Sequence, residues 1–129
     1  MSLQRFKQSL QTSPIIKKGD YCYIVHSITD GIPKINPQML QEITLEMKQH
    51  IKKWGSIDKI LTIESMGIPL ATALSLDVGI PFTIIRKRSY GFSDEICVTQ
   101  KTGLKESYTS SLITNSTSAS SSLKAILFC

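Results

Sequence analysis

The sequence predicts an α/β domain organised on a parallel sheet, and three observations carry that prediction. "KILTIE" (Lys59–Glu64) and "PFTIIRK" (Pro81–Lys87) are short apolar runs rich in β-branched residues, as buried strands require. Between them, Ile68–Leu76 is a small-residue helical stretch with Pro69 near its start and Gly79 breaking it. Strand, helix and strand within about thirty residues form a βαβ unit, whose crossover is right-handed.

The remaining elements follow in order. Residues 3–12 read as a short helix with Leu3, Phe6 and Leu10 on one face, Ser2 as cap, and Ser13-Pro14 as terminator. "YCYIV" (Tyr21–Val25) is dense in β-formers and reads as a strand. "TDGIPKINP" is turn chemistry. Asn36 then caps a helix whose first position is Pro37, where the missing N–H costs nothing. Leu40, Ile43, Met47, Ile51 and Trp54 keep helical spacing up to Gly55. "EICVTQ" (Glu95–Gln100) reads as a weaker strand in an arm or hairpin. From Tyr108 to Cys129 the only charge is Lys124, among many Ser and Thr. Such tracts bury too little apolar surface to order themselves. The expected organisation is therefore a domain over 1–107 and a tail over 108–129, disordered or out of frame, although "KAILFC" suits a terminal strand or helix turn.

Composition bounds the class. The chain has 129 residues, enough for one domain with a core, and its 41% apolar and 19% charged residues are ordinary for a soluble globular protein. No apolar run approaches the roughly 18 residues of a membrane span. The start, MSLQRFKQSLQTSP, lacks the apolar core of a secretion signal, so the expected location is the cytoplasm. Cys22, Cys97 and Cys129 are widely spaced and form no CxxC pair, which fits free thiols in a reducing compartment. A net charge of +5 suggests anionic ligands. Most lysines read as solvated surface. "IIRKRSYG" differs, because it sets Arg86, Lys87 and Arg88 at the end of a strong β run.

Ligands of open α/β sheets bind beyond the carboxyl ends of the strands. Glu64-Ser65-Met66-Gly67 lies at that end of one predicted strand and Arg86-Lys87-Arg88 at that end of the next. A helix starting near Ile68 would aim free N–H groups and its positive end at the same place. Gly67 lets backbone approach a ligand, and Ser65 adds a hydroxyl. Together they form a candidate phosphate site, in which Glu64 fits if Mg²⁺ accompanies the phosphate. An ordinary βα turn with a solvated glutamate is the competing reading. The GxxxxGK[ST] loop and the dinucleotide fingerprint are both absent from the sequence. His26 reads as a structural histidine at a strand end, with contact to a base as the alternative. Ser89–Glu95, "SYGFSDE", suits a mobile hood over a ligand or an ordinary exposed loop.

"SITDGIPKINPQML", "KILTIESMGIPLATALSLDVGIPF" and "IIRKRSYG" resemble, in order and spacing, the archaeal hypoxanthine/guanine phosphoribosyltransferases, adenine-phosphoribosyltransferase-like members of the type I family. The resemblance covers roughly residues 5–106. It implies a type I phosphoribosyltransferase fold, incomplete at the C-terminus. It further implies a Mg²⁺-dependent transfer of 5-phosphoribosyl from phosphoribosyl diphosphate to hypoxanthine or guanine, giving IMP or GMP and diphosphate, in a homodimer. By the same resemblance Glu64, Ser65, Met66 and Gly67 cradle the diphosphate with Arg86 and Lys87. A non-proline cis peptide is implied at Glu64–Ser65 or Ser65–Met66. Arg88, Tyr90 and Gly91 begin the hood loop, and Ile28, Thr29 and Asp30 line the purine pocket.

One departure stands out. The family's next element carries two adjacent acids, which hold the ribose hydroxyls or the metal, and a loop for the 5′-phosphate. After Glu106 this sequence has no Asp or Glu. The expectation is a chain that keeps the diphosphate half of the site and lacks a third parallel strand. One strand edge would then be exposed, with little activity and marginal stability. No catalytic residue and no protein metal ligand is assigned. The alternative function is a non-catalytic regulatory protein on the same fold, binding phosphoribosyl diphosphate or nucleic acid; no DNA-reading element is visible, so nucleic acid is not the expected partner.

Overall fold

The computed structural model describes residues 3–100, 108–113 and 125–128. The chain begins with α1 (Gln4–Thr12), followed by a hairpin of β1 (Ile15–Lys18) and β2 (Tyr21–Ile24). A single-turn helix, α2 (Ser27–Asp30), precedes the long α3 (Pro37–Lys52). The βαβ unit follows as β3 (Lys59–Ile63), α4 (Ile68–Val78) and β4 (Phe82–Ile85). The last elements are β5 (Glu95–Gln100), β6 (Tyr108–Ile113) and β7 (Ala125–Phe128).

β3 is the central strand of a three-stranded parallel sheet in the order β4-β3-β7. Ile60 and Thr62 are fully buried on the face that meets the helices. There Ile60 joins Ile51, Ala71 and Leu74 in the core, with Met47, Ile57, Val78, Ile80 and Phe82 packed around them. Met47 and Ile51 of α3, and Ala71, Leu74 and Val78 of α4, at i+3 and i+4 spacing, thus anchor the two helices on β3. Lys48 of α3 meets Asp77 of α4 at 2.8 Å, a half-exposed pair of small energetic weight.

The local signals act as their chemistry suggests. The Asn36 side chain accepts from the Met39 N–H at 3.0 Å, with Pro37 in the first turn of α3. Gly79 ends α4 in the left-handed region at φ 72°. The α1 terminus differs from expectation. Leu3 holds the cap position and gives no side-chain cap, and the expected cap Ser2 lies outside the described residues; Glu42 of α3 accepts from the Phe6 N–H at 3.2 Å. Trp54 lies beyond α3 and is 59% exposed, so the apolar stripe of that helix ends at Ile51.

Three corrections concern elements. β1 is absent from the sequence reading, yet it pairs antiparallel with β2 across Gly19-Asp20, with Gly19 at φ 59°. The turn segment holds a real helical turn, α2. Finally, the tail beyond residue 107 contributes two strands, the second of them the terminal strand that "KAILFC" suits. β6 pairs antiparallel with β5, and β7 pairs in parallel with β3 through Lys59↔Ala125 to Thr62↔Phe128. A third parallel strand is therefore present, and β3 has a hydrogen-bonded neighbour on each side. Backbone pairing supplies the order that a serine-rich composition does not advertise. Residues 101–107, 114–124 and 129 lie outside the described residues. Among the described residues, no helix is long and apolar enough to cross a membrane.

Candidate functional site

The parallel register builds the site. Ile63 pairs with Ile85, so the next residues, Glu64 and Arg86, leave the sheet side by side at its carboxyl end. The Glu64 N–H still donates to Ile85 O at 3.0 Å. Beyond that point the chain turns. The Glu64–Ser65 peptide is cis, Ser65 and Met66 are exposed, and Gly67 is buried at the start of α4. Gly67 sits at φ −80°, an ordinary right-handed conformation, so its small size matters here through burial and not through backbone freedom. The Ile68 N–H donates to Ser65 O at 3.2 Å. Pro69 has no N–H at all, so the helix start offers fewer free amides than the sequence suggested.

Arg86 faces this loop. Its Nε lies 2.8 Å from Glu64 Oε2, with the two side chains 35% and 25% exposed. The same Nε stands 3.1 Å from Tyr90 Oη, and Arg88 Nε donates to that oxygen at 3.1 Å as well. The Arg88 guanidinium carbon lies 4.9 Å from the centre of the Tyr90 ring. Hydrogen bonds from Arg88 and then Arg86 hold the Tyr90 phenol below the ordinary tyrosine range. The hydrogen bond to Tyr90 in turn raises the pKa of Arg88. Lys87 is exposed beside them. Glu64, Arg86, Arg88 and Tyr90 thus form one connected polar cluster, with Ser65, Met66 and Gly67 on its loop side. Gly91 follows Tyr90 in the left-handed region at φ 76°.

The purine candidates are held elsewhere in the network. Ile28 is buried, 2% exposed. Thr29 Oγ1 donates to His26 O and to Asp30 Oδ2, and Asp30 Oδ2 also accepts from the His26 N–H at 2.9 Å. Their polar atoms therefore shape α2, which touches α4. His26 is structural, as the plainer reading had it. It is buried, its Nδ1 accepts from the Ile28 N–H at 3.2 Å, and Nε2 lies 2.7 Å from Ser9 Oγ. That arrangement puts the ring proton on Nε2, with Ser9 accepting.

Among the described residues, no three His, Cys, Asp or Glu side chains converge as a metal site. Glu95, not among the site residues expected from the sequence, joins the cluster by folding back on the 89–92 turn. The available signal was an acid a few residues after a Tyr-Gly turn, a pattern with many other uses.

The comparisons agree with this architecture. The phosphoribosyl transferase domain model matches residues 34–124, past the composition change near residue 107. A hypoxanthine/guanine phosphoribosyltransferase from Methanohalobium evestigatum is 50% identical over 101 residues, covering 78% of this chain and 52% of that protein. One from Methanobacterium paludis is 49% identical over 105 residues, with coverages of 80% and 53%. The chain spans about half the length of the curated relatives it matches. In structure, adenine phosphoribosyltransferase from Saccharomyces cerevisiae, solved with an imino-altritol bisphosphate and adenine, superposes with a TM-score of 0.73 at 18% identity. That match covers 96% of this chain and 70% of the yeast chain. The sheet order, the loop after β3 and a family match over most of the chain converge: this protein belongs to the phosphoribosyl transferase domain family and has the α/β, parallel-sheet type I fold.

Proposed function

We propose that this chain serves purine salvage by binding phosphoribosyl diphosphate and transferring its 5-phosphoribosyl group to hypoxanthine or guanine. The observation that carries the proposal is the ion pair of Glu64 and Arg86 at 2.8 Å, which joins the loop after β3 to the basic end of β4. That junction is where an open α/β sheet receives its ligand. The names of the relatives from Methanohalobium and Methanobacterium support the choice of purine.

In the reaction the C1–O bond to diphosphate breaks, a purine nitrogen bonds to C1, and the proton of that nitrogen passes to the departing diphosphate or to water. Negative charge grows on the leaving diphosphate. Arg86 and Lys87 would neutralise it, and the Ser65 hydroxyl would donate to a phosphate oxygen. Arg86 shifts part of its hydrogen bonding from Glu64 to the ligand as the anion arrives. Mg²⁺ fits this setting, since it keeps its water and binds through one or two carboxylates and substrate phosphates. Glu64 is the carboxylate on the loop that would hold it, and the ion would neutralise diphosphate charge. Ile28, Thr29 and Asp30 are proposed to border the base through α2. A homodimer in the cytoplasm is the expected assembly and location.

The residues proposed above serve the diphosphate end of this chemistry. Binding is therefore the first test. Calorimetry should show Mg-diphosphate and phosphoribosyl diphosphate binding to the protein, and no binding of either would overturn the site. Turnover should favour hypoxanthine and guanine over adenine, and exclusive use of adenine would refute the assignment of the base.

A further inference from the structure

The segment between β4 and β5 contains an anion receptor that is already filled. Glu95, the first residue of β5, turns its carboxylate back over the preceding turn. Its Oε2 accepts from the Gly91 N–H at 2.7 Å, the Tyr90 N–H at 3.0 Å and the Phe92 N–H at 3.3 Å. Oε1 accepts from the Tyr90 N–H at 2.9 Å, and the Ser89 hydroxyl donates to Oε2 at 3.0 Å. The Glu95 N–H closes the turn on Phe92 O at 3.2 Å. Consecutive amides converging on one anion, with Gly91 in the left-handed region, form a concave backbone nest. Bonds from such donors to a carboxylate are among the stronger hydrogen bonds of proteins.

The same four residues place Tyr90. Its ring stacks on Phe92 at 6.3 Å between centroids, and its Oη receives both Arg86 and Arg88. A chain of contacts therefore runs from the Glu95 carboxylate, through the 90–92 amides and the Tyr90 ring, to the guanidinium that meets Glu64.

We infer that Glu95 is a positioning residue: its carboxylate holds the 89–92 turn in the shape that sets Tyr90 between Arg86 and Arg88, and thereby fixes Arg86 at the 64–67 loop. The effect on ligand binding rests on the proposed function; the effect on the loop does not. A carboxylate that only decorated the start of β5 would leave the 90–92 amides to water and would be replaceable without consequence. Here it is the common acceptor of three amides and a hydroxyl.

The test uses the full chain with Glu95→Gln and Glu95→Ala, each checked for unchanged amide exchange in β3. Amides 90–92 in Glu95→Ala should exchange about tenfold faster or more, the loss expected when charge-assisted hydrogen bonds are removed. The Tyr90 ionisation, identified in an absorbance titration by difference from Tyr90→Phe, should move up toward the ordinary tyrosine range. Glu95→Gln keeps the shape and loses the charge, so it should fall between. Sodium formate, compared with sodium chloride at equal ionic strength, should refill the nest in Glu95→Ala and restore both signals. Unchanged exchange at 90–92 together with an unchanged Tyr90 titration would overturn the inference. Mg-diphosphate affinity separates the two proposals. Wild-type protein with no affinity overturns the proposed function, while the exchange and titration still decide the role of Glu95. Equal affinity in wild type and Glu95→Ala, with the loop loosened, overturns the link from Glu95 to the site.

Discussion

Replacing Arg86 with glutamine separates binding from stability more cleanly than any other change at the site. Its Nε meets Glu64 at 2.8 Å and Tyr90 at 3.1 Å, with about a third of the Arg86 side chain and a quarter of Glu64 exposed. A pair so placed contributes about 0.2–1 kcal/mol to folding, because water screens it and ordering two long side chains opposes it. Urea unfolding of Arg86→Gln should therefore move by no more than about 1 kcal/mol. Binding of diphosphate is another matter. A hydrogen bond to a charged group is worth about 1.5–3 kcal/mol, which is roughly a 10- to 150-fold change in dissociation constant. Calorimetric titration with Mg-diphosphate at fixed ionic strength should show a loss in that range. Glu64→Gln tests the other partner: with its competing carboxylate neutralised, Arg86 should bind metal-free diphosphate more tightly. An Arg86→Gln protein that binds Mg-diphosphate within about twofold of wild type would refute the assignment, because a contact worth a charged hydrogen bond cannot be removed so quietly. A collapse of stability would refute the structural reading instead.

Four further outcomes are expected. Leu74→Ala removes a fully buried side chain from the α4–β3 core and should cost about 2–5 kcal/mol in urea unfolding. His26→Ala orphans the buried Ile28 N–H and should cost about 1–3 kcal/mol, while His26→Asn, which restores an acceptor at the α2 cap, should recover part of it. Among the described residues Thr62 Oγ1 has no hydrogen-bond partner although it is buried, so Thr62→Val should hold or raise stability by about 1 kcal/mol; a clear loss in thermal unfolding would reveal an acceptor elsewhere. Hydrogen bonds from Arg88 and Arg86 lower the Tyr90 pKa, so one phenol should ionise at lower pH than ordinary tyrosines, and Tyr90→Phe should abolish that step. Because the folded pKa is the lower one, this group's stabilisation is complete above the unfolded pKa and disappears as pH falls through the folded value; absorbance and unfolding measured across alkaline pH check both signs.

The legible parts of this fold share a physical origin. β3, α4 and β4 are continuous in sequence; β3 and α4 carry fully buried residues and β4 is partly buried throughout, so apolar runs punctuated by Gly79 and Pro81 report them directly. The Asn36-Pro37 start of α3 is legible for the same reason, since cap chemistry is local. β1 is different. All four of its residues are exposed, so burial periodicity carries no trace of it, and only Gly19-Asp20 between two β-prone runs marks the hairpin. β6 depends still more on a distant partner, and only the apolar "KAILFC" hints at β7. Their hydrogen bonds go to β5 and β3, and composition within a segment says nothing about a ladder supplied by another. The site divides along the same line. Glu64 and Arg86 come together through register alone, one step past Ile63↔Ile85, which is why strand ends sufficed to find them. The placement of Tyr90 needed a left-handed glycine and a carboxylate returning from the next strand. Such side-chain-to-backbone closure has no period and no fixed spacing. It also explains why the sequence marks Ser89–Glu95 as a loop while the carboxylate that closes its turn could not be singled out. The sheet edge sets where the cations are, and the turn sets which way they point, so a change at Glu95 should act on the site without touching a single residue of the β3 loop.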